Sequence, residues 1–170
     1  MLNRNQYAWH AVSICVCAAL FLSACTPPGF PLKIRGISVS PEPIIGQVAT
    51  LHVEVMSTDD EPDATILIEL PEGVKLVDGD LMWQGTLTAN QPLTHEVSIC
   101  VLYEGDWRLR IVAHSQLSED SSYQDAESLH IQSTTESARA ILGSDYRITQ
   151  PPGGFDIPTP LPETPPAVCP

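Results

Sequence analysis

The sequence predicts an all-β fold, an antiparallel two-sheet sandwich of about seven strands over residues 33–133. Three observations carry this. Apolar and polar residues alternate at period two in one segment after another. Pro, Gly, Asp and Asn punctuate those segments. Helical periodicity is nearly absent from the region. An antiparallel sheet with one face on a core and the other in water imposes this alternation, because successive side chains leave a strand on opposite faces.

The first strand is expected near 34–39. In 48–55, Ala49, Leu51, Val53 and Val55 alternate with Thr50, His52 and Glu54. Ala64, Ile66, Ile68 and Leu70 form the next inward set, followed by Leu81, Trp83 and Leu87. Val97, Ile99 and Val101 then alternate with Glu96, Ser98 and Cys100. Trp107, Leu109, Ile111 and Ala113 alternate with Arg108, Arg110 and His114, and Leu129 and Ile131 flank His130. The separating turns are Ser40-Pro41-Glu42-Pro43, Gly46, Pro71-Glu72-Gly73, Asp78-Gly79-Asp80, Asn90-Gln91-Pro92 and Glu104-Gly105-Asp106.

Around this unit the chain divides into a signal peptide at 1–24, a Pro/Gly tether at 25–32, a linker at 134–149 and a tail at 150–170. Residues 135–142 are amphipathic and predict a short helix. The tail holds Pro-Pro-Gly-Gly-Phe and Pro-Thr-Pro-Leu-Pro-Glu-Thr-Pro-Pro, a composition for disordered or polyproline-like chain. At the other end, Arg4 precedes an apolar run over 11–22 that stops at Thr26-Pro27-Pro28-Gly29. That run is shorter than the ~20 residues needed to cross a bilayer and has the length of an export-signal core.

Leu22-Ser23-Ala24-Cys25 resembles the lipobox of bacterial lipoproteins. The resemblance implies a diacylglycerol thioether on Cys25 and cleavage between Ala24 and Cys25. Two acyl chains anchor stably where one holds only marginally. By the family's sorting rule, Thr26 after the cysteine implies the outer membrane of a two-membrane cell. In a one-membrane cell it implies the outer face of the cell membrane. The alternative is ordinary secretory cleavage after Ala24, with Cys25 incidental.

A second resemblance covers the β unit. Residues 43–55, Pro-Ile-Ile-Gly-Gln-Val-Ala-Thr-Leu-His-Val-Glu-Val, are similar to the second strand of Ig-like domains in bacterial surface proteins. Leu70-Pro71-Glu72-Gly73-Val74 and Gly105-Asp106-Trp107-Arg108-Leu109-Arg110 fit the same cell-adhesion-related class. The resemblance implies an Ig-like sandwich with a spacer, scaffold or adhesive role. The core cysteine pair of antibody domains is absent.

Charge restricts the partners. Of 8 Lys+Arg and 21 Asp+Glu, only Arg4 falls within 1–24, so the mature chain carries 7 against 21, a formal charge of −14. Phosphate backbones would repel it, which argues against nucleic acid. Anionic headgroups would too, which suits a covalent anchor over a basic patch. With Cys25 lipidated, Cys100 and Cys169 remain. An oxidising compartment permits their pairing, whereas the burial tendency of free cysteine favours an unpaired Cys100 inside its strand.

Candidate chemistry is sparse. His52, His95, His114 and His130 show no metal-ligand spacing. Asp59, Asp60, Glu61 and Asp63 form an oxygen-rich loop of the kind that can hold Ca²⁺, but without EF-hand spacing, and solvation is the plainer role. No Gly-x-Ser-x-Gly elbow occurs. Trp83 and Trp107 take inward positions; Tyr103, Tyr123 and Tyr146 lie near strand ends or loops, where they can add to a contact surface. The expectation is a non-catalytic, membrane-anchored envelope protein, without cofactor or metal, whose sandwich binds or positions a partner protein. The alternatives are a glycan or small-ligand module and an accessory subunit of an envelope enzyme.

Overall fold

The computed structural model describes residues 30–118, 121–145 and 165–170. Residues 1–29, with the expected signal peptide, Ala24 and Cys25, lie outside them, as do Tyr146 and most of the tail. One compact unit spans Pro31–Pro170. Its described residues form nine strands: β1 (Leu32–Ser40), β2 (Val48–Ser57), β3 (Glu61–Glu69), β4 (Val74–Asp78), β5 (Met82–Leu87), β6 (Leu93–Val101), β7 (Gly105–Ser118), β8 (Ser121–Ser133) and β9 (Ala138–Leu142). They build two antiparallel sheets, in the orders β1-β2-β6-β4 and β5-β3-β7-β8-β9. The fold is the expected all-β sandwich.

The inward sets meet as the alternation requires. Leu51, Val53 and Val55 of β2 and Val97, Ile99 and Val101 of β6 face Ile66 and Ile68 of β3, Leu109 and Ile111 of β7 and Leu129 and Ile131 of β8 in a single buried cluster. Burying such a side chain contributes about 1.5–3 kcal/mol. Trp83 is only half-buried at the margin of that core, whereas Trp107 is fully inside.

Strands β4 and β9 are the two beyond the expected seven. For 135–142 the structure corrects the helix: Ala138–Leu142 is a strand paired with β8. The cause sits in the preceding turn. The Thr134 hydroxyl accepts from the N–H groups of Glu136 (3.3 Å) and Ser137 (3.0 Å), and Thr134 N–H donates to the Ser137 carbonyl at 2.8 Å. This reversal lays 138–142 along the open edge of β8. Isolated helices below about 12–15 residues are marginal in water, so an eight-residue amphipathic run yields to the ladder.

The strands β1-β2-β6 and β3-β7-β8 hold the relative positions of A-B-E and C-F-G in an immunoglobulin sandwich. The edge strands differ. Here the chain visits β4, beside β6, before β5, beside β3, whereas the lettered order of variable-type domains reaches the C-side edge first. The free edge of β1 is tied to the other sheet at one point: at a bulge between Ile34 and Gly36, Ile34 N–H donates to Asp125 Oδ2 of β8 at 2.8 Å.

One carboxylate lies inside. Glu61 is 2% exposed and accepts from the hydroxyls of Ser57 (3.2 Å) and Ser115 (2.5 Å), themselves buried. Among the described residues no buried side-chain N or O lacks a partner. Glu61→Ala is expected to strand both hydroxyls and to cost about 2–3 kcal/mol in chemical denaturation; Glu61→Gln, which keeps an acceptor and gains a donor, is expected to cost less than half of that.

The end of the tail is bound to the sandwich. Cys169 forms a disulfide with Cys100, with Cα atoms 6.2 Å apart, and Ala167 N–H donates to the Leu102 carbonyl at 2.9 Å. The unpaired Cys100 favoured by burial tendency is thus corrected. Cys100 is 1% exposed because the last residues of the chain cover it from what is otherwise the solvent face of its sheet.

Candidate functional site

The sandwich has two distinct ends. The chain enters at Leu32, which pairs with Ser57, at one of them. At the other lie the turn after β1, the 102–104 link, the 134–137 turn and the bound residues 167–169. Gly46 N–H donates to the Val101 carbonyl and the Ser133 hydroxyl to the Pro43 carbonyl, so these loops are tied together.

An open groove of about 670 Å³ lies at this second end, lined by Glu104, Asp106, Gln132, Thr134, Ser137 and Arg139 among others. Register explains the assembly. Asp106 stands opposite Gln132, and Gln132 opposite Arg139, so three outward side chains from β7, β8 and β9 line up across the sheet. They are linked in series: Arg139 Nε donates to Gln132 Oε1 at 2.7 Å and Gln132 Nε2 donates to Asp106 Oδ2 at 2.9 Å. On the other side of Asp106, its Oδ1 lies 3.1 Å from His130 Nδ1. One strand position away, Arg108 Nε donates to the Ser128 hydroxyl at 3.1 Å.

A bonded row of this kind restricts its side chains to few rotamers, so less order has to be imposed on them when a partner binds. Among the described residues no carboxylate lies within ion-pair distance of Arg139 or Arg108. The rim thus carries a carboxylate, an amide and a guanidinium fixed in one bonded row. It can bind a polar surface or a hydroxyl-rich ligand.

Among the described residues the histidines take separate places. His52 Nδ1 lies 3.0 Å from Glu96 on the outer face of the four-stranded sheet, His95 Nε2 2.8 Å from the Asp80 carbonyl, and His114 on β7 well away from both. The acidic run is dispersed over separate duties. Glu61 is the buried carboxylate, Asp60 Oδ1 accepts from Ala89 N–H at 2.8 Å, and the Asp59 N–H donates to Ser57 Oγ. Among the described residues no group of three or more His, Cys, Asp or Glu is placed to hold a metal ion. Tyr103 packs beside Trp107, its carbonyl accepting the indole N–H at 2.9 Å.

Sequence reasoning missed Gln132 and Arg139 and saw Asp106 only as a turn residue. The signal existed as outward positions on consecutive strands, but it becomes readable only once β9 replaces the expected helix.

No family model matches the chain, and no curated protein matches it. Among solved structures it is similar to a conjugative transposon lipoprotein from Bacteroides eggerthii DSM 20697, at 17% identity over 59% of this chain and 97% of that one, with a TM-score of 0.35. A likeness at that level carries no functional argument.

Proposed function

We propose that this chain is an exported, lipid-anchored envelope protein that performs no catalysis and binds or positions a partner protein through the groove at the end of β7, β8 and β9. The observation that carries the reading is the prearranged row of Asp106, Gln132 and Arg139 at the end opposite the chain's entry. Strand β1 has nine residues, which at about 3.3 Å per residue separates that end from Leu32 by roughly 26 Å. A lipid on Cys25 would hold the Leu32 end towards the membrane and present the groove away from it. Leu22-Ser23-Ala24-Cys25 supports the anchor, and the Cys100–Cys169 disulfide suits an oxidising compartment outside the cytoplasm.

The test is site-specific photo-cross-linking in intact cells. A photoreactive residue in place of Ser137 is expected to capture one reproducible protein neighbour, and Arg139→Glu is expected to weaken that capture at least tenfold. The same residue in place of Thr94, on the four-stranded sheet, is expected to capture none. Equal capture from both positions, or none from Ser137, would sink the reading. The anchor is tested separately by mass spectrometry of the mature amino terminus, where an unmodified Cys25 would remove it.

A glycan is the second reading, favoured by the planar hydrogen-bonding groups of Asp106, Gln132 and Arg139 around an open groove. Selective signals on a glycan array that vanish in Asp106→Ala would replace the protein partner with a saccharide.

A further inference from the structure

The outer face of the five-stranded sheet carries an apolar row that the fold does not require. Met82 on β5 stands opposite Leu67 on β3, Leu67 opposite Val112 on β7, and Val112 opposite Ala126 on β8. All four point away from the core. Met82 is 58% and Leu67 36% exposed, two of the four large hydrophobic residues exposed among the described residues, and Ala126 is exposed too, whereas Val112 between them is only 8% exposed. Outward strand positions elsewhere on this sheet are mostly polar, and four apolar ones in register across four strands form a continuous stripe.

The neighbouring rows have a specific symmetry about the midline between β3 and β7. On one side of the stripe Glu69 stands opposite Arg110, joined through Arg110 Nη1 at 3.1 Å; on the other, Thr65 stands opposite His114. A second copy laid face to face, turned by a half-rotation about an axis parallel to the strands, exchanges the two sides of that midline. Leu67 of one copy then meets Val112 of the other and Met82 meets Ala126. Each Glu69 faces the other copy's Arg110, closing a square of alternating charges. A two-fold contact must be self-complementary in this way.

We propose that the occupant of this face is a second copy of the chain, in a parallel two-fold dimer. The choice of axis rests on the anchor reading: it keeps both Leu32 ends on the same side, as two chains held by lipid in one membrane require. A half-rotation about the stripe itself would send the two anchors in opposite directions and would set Glu69 and Arg110 against Thr65 and His114. The two-fold on the β3/β7 midline overlaps four strands, β5, β3, β7 and β8; at about 4.8 Å apart and some six residues long they offer roughly 400 Å² per copy, about 800 Å² in all. That is smaller than the usual specific contact, so the dimer is weak when dilute. Confinement to a membrane raises the effective concentration that populates it.

The test uses two differently tagged full-length copies co-expressed in cells, with a photoreactive residue in place of Met82. Irradiation is expected to give a product of twice the chain mass carrying both tags. Glu69→Arg in both copies, or Arg110→Glu in both, is expected to reduce it at least tenfold, because like charges then face each other. Co-expressing one copy with Glu69→Arg and one with Arg110→Glu is expected to restore it, as is the double exchange Glu69→Arg, Arg110→Glu in both copies. These rescues separate a lost contact from a misfolded variant. An adduct carrying one tag and a foreign protein, no adduct, or charge variants without rescue would overturn the dimer. An unlipidated Cys25 with the adduct intact would remove the anchor reading and leave the contact standing.

Discussion

Replacing Cys169 with serine is expected to lower the unfolding free energy by about 3–4 kcal/mol. Cys100 and Cys169 are 69 positions apart, so their bond closes a long loop and removes much of the freedom of the unfolded chain. Their Cα separation of 6.2 Å falls within the range that needs no backbone movement. The substitution also leaves a thiol at Cys100 and releases the residues that cover it. Denaturant unfolding under oxidising conditions measures the effect, which corresponds to roughly 10–15 °C in the thermal midpoint of a domain this size. A reductant should bring the unsubstituted protein down to the same level and leave Cys169→Ser unchanged. A loss below ~1 kcal/mol would mean that the tail contributes nothing to the folded unit.

Gly73→Ala is expected to cost about 2–3 kcal/mol, with Trp107 as the reason. A Cβ at Gly73 would lie 2.4–2.5 Å from three atoms of the indole ring, closer than carbon atoms approach. The ring has little room to retreat. It is 4% exposed, its N–H is held by the Tyr103 carbonyl, and Gly105 passes within 3.3 Å of it where a side chain would begin. Trp107→Ala alone should cost about 3–5 kcal/mol through the cavity it leaves. The two changes touch the same space, so together they should cost clearly less than their sum. Additive losses in that double-mutant cycle would separate Gly73 from the indole.

Glu61 and Trp107 show where local pattern stops being informative. As part of the run Asp59-Asp60-Glu61 with Asp63 nearby, Glu61 reads as a solvated loop acid. Only the approach of Ser57 from β2 and Ser115 from β7, 54 positions away, turns it into a buried acceptor. Trp107 was legible as core because its neighbours at two-residue spacing, Leu109, Ile111 and Ala113, share its face whatever lies opposite.

By itself the sequence determined the fold class, the order of the principal strands and the inward set of each. Period-two alternation is a property of a single strand and needs no partner to be read. It also carries the Leu22-Ser23-Ala24-Cys25 motif, which is local by nature. The tertiary structure decided what depends on which strands lie side by side. Strand β9 exists because a Thr134 turn delivers it to an open edge, and Cys169 is bonded because the chain returns to Cys100. The row Asp106, Gln132, Arg139 and the stripe from Met82 to Ala126 come from register across three or four strands. Register is a relation between distant segments, and slipping one strand by a single residue would turn its side chains to the other face.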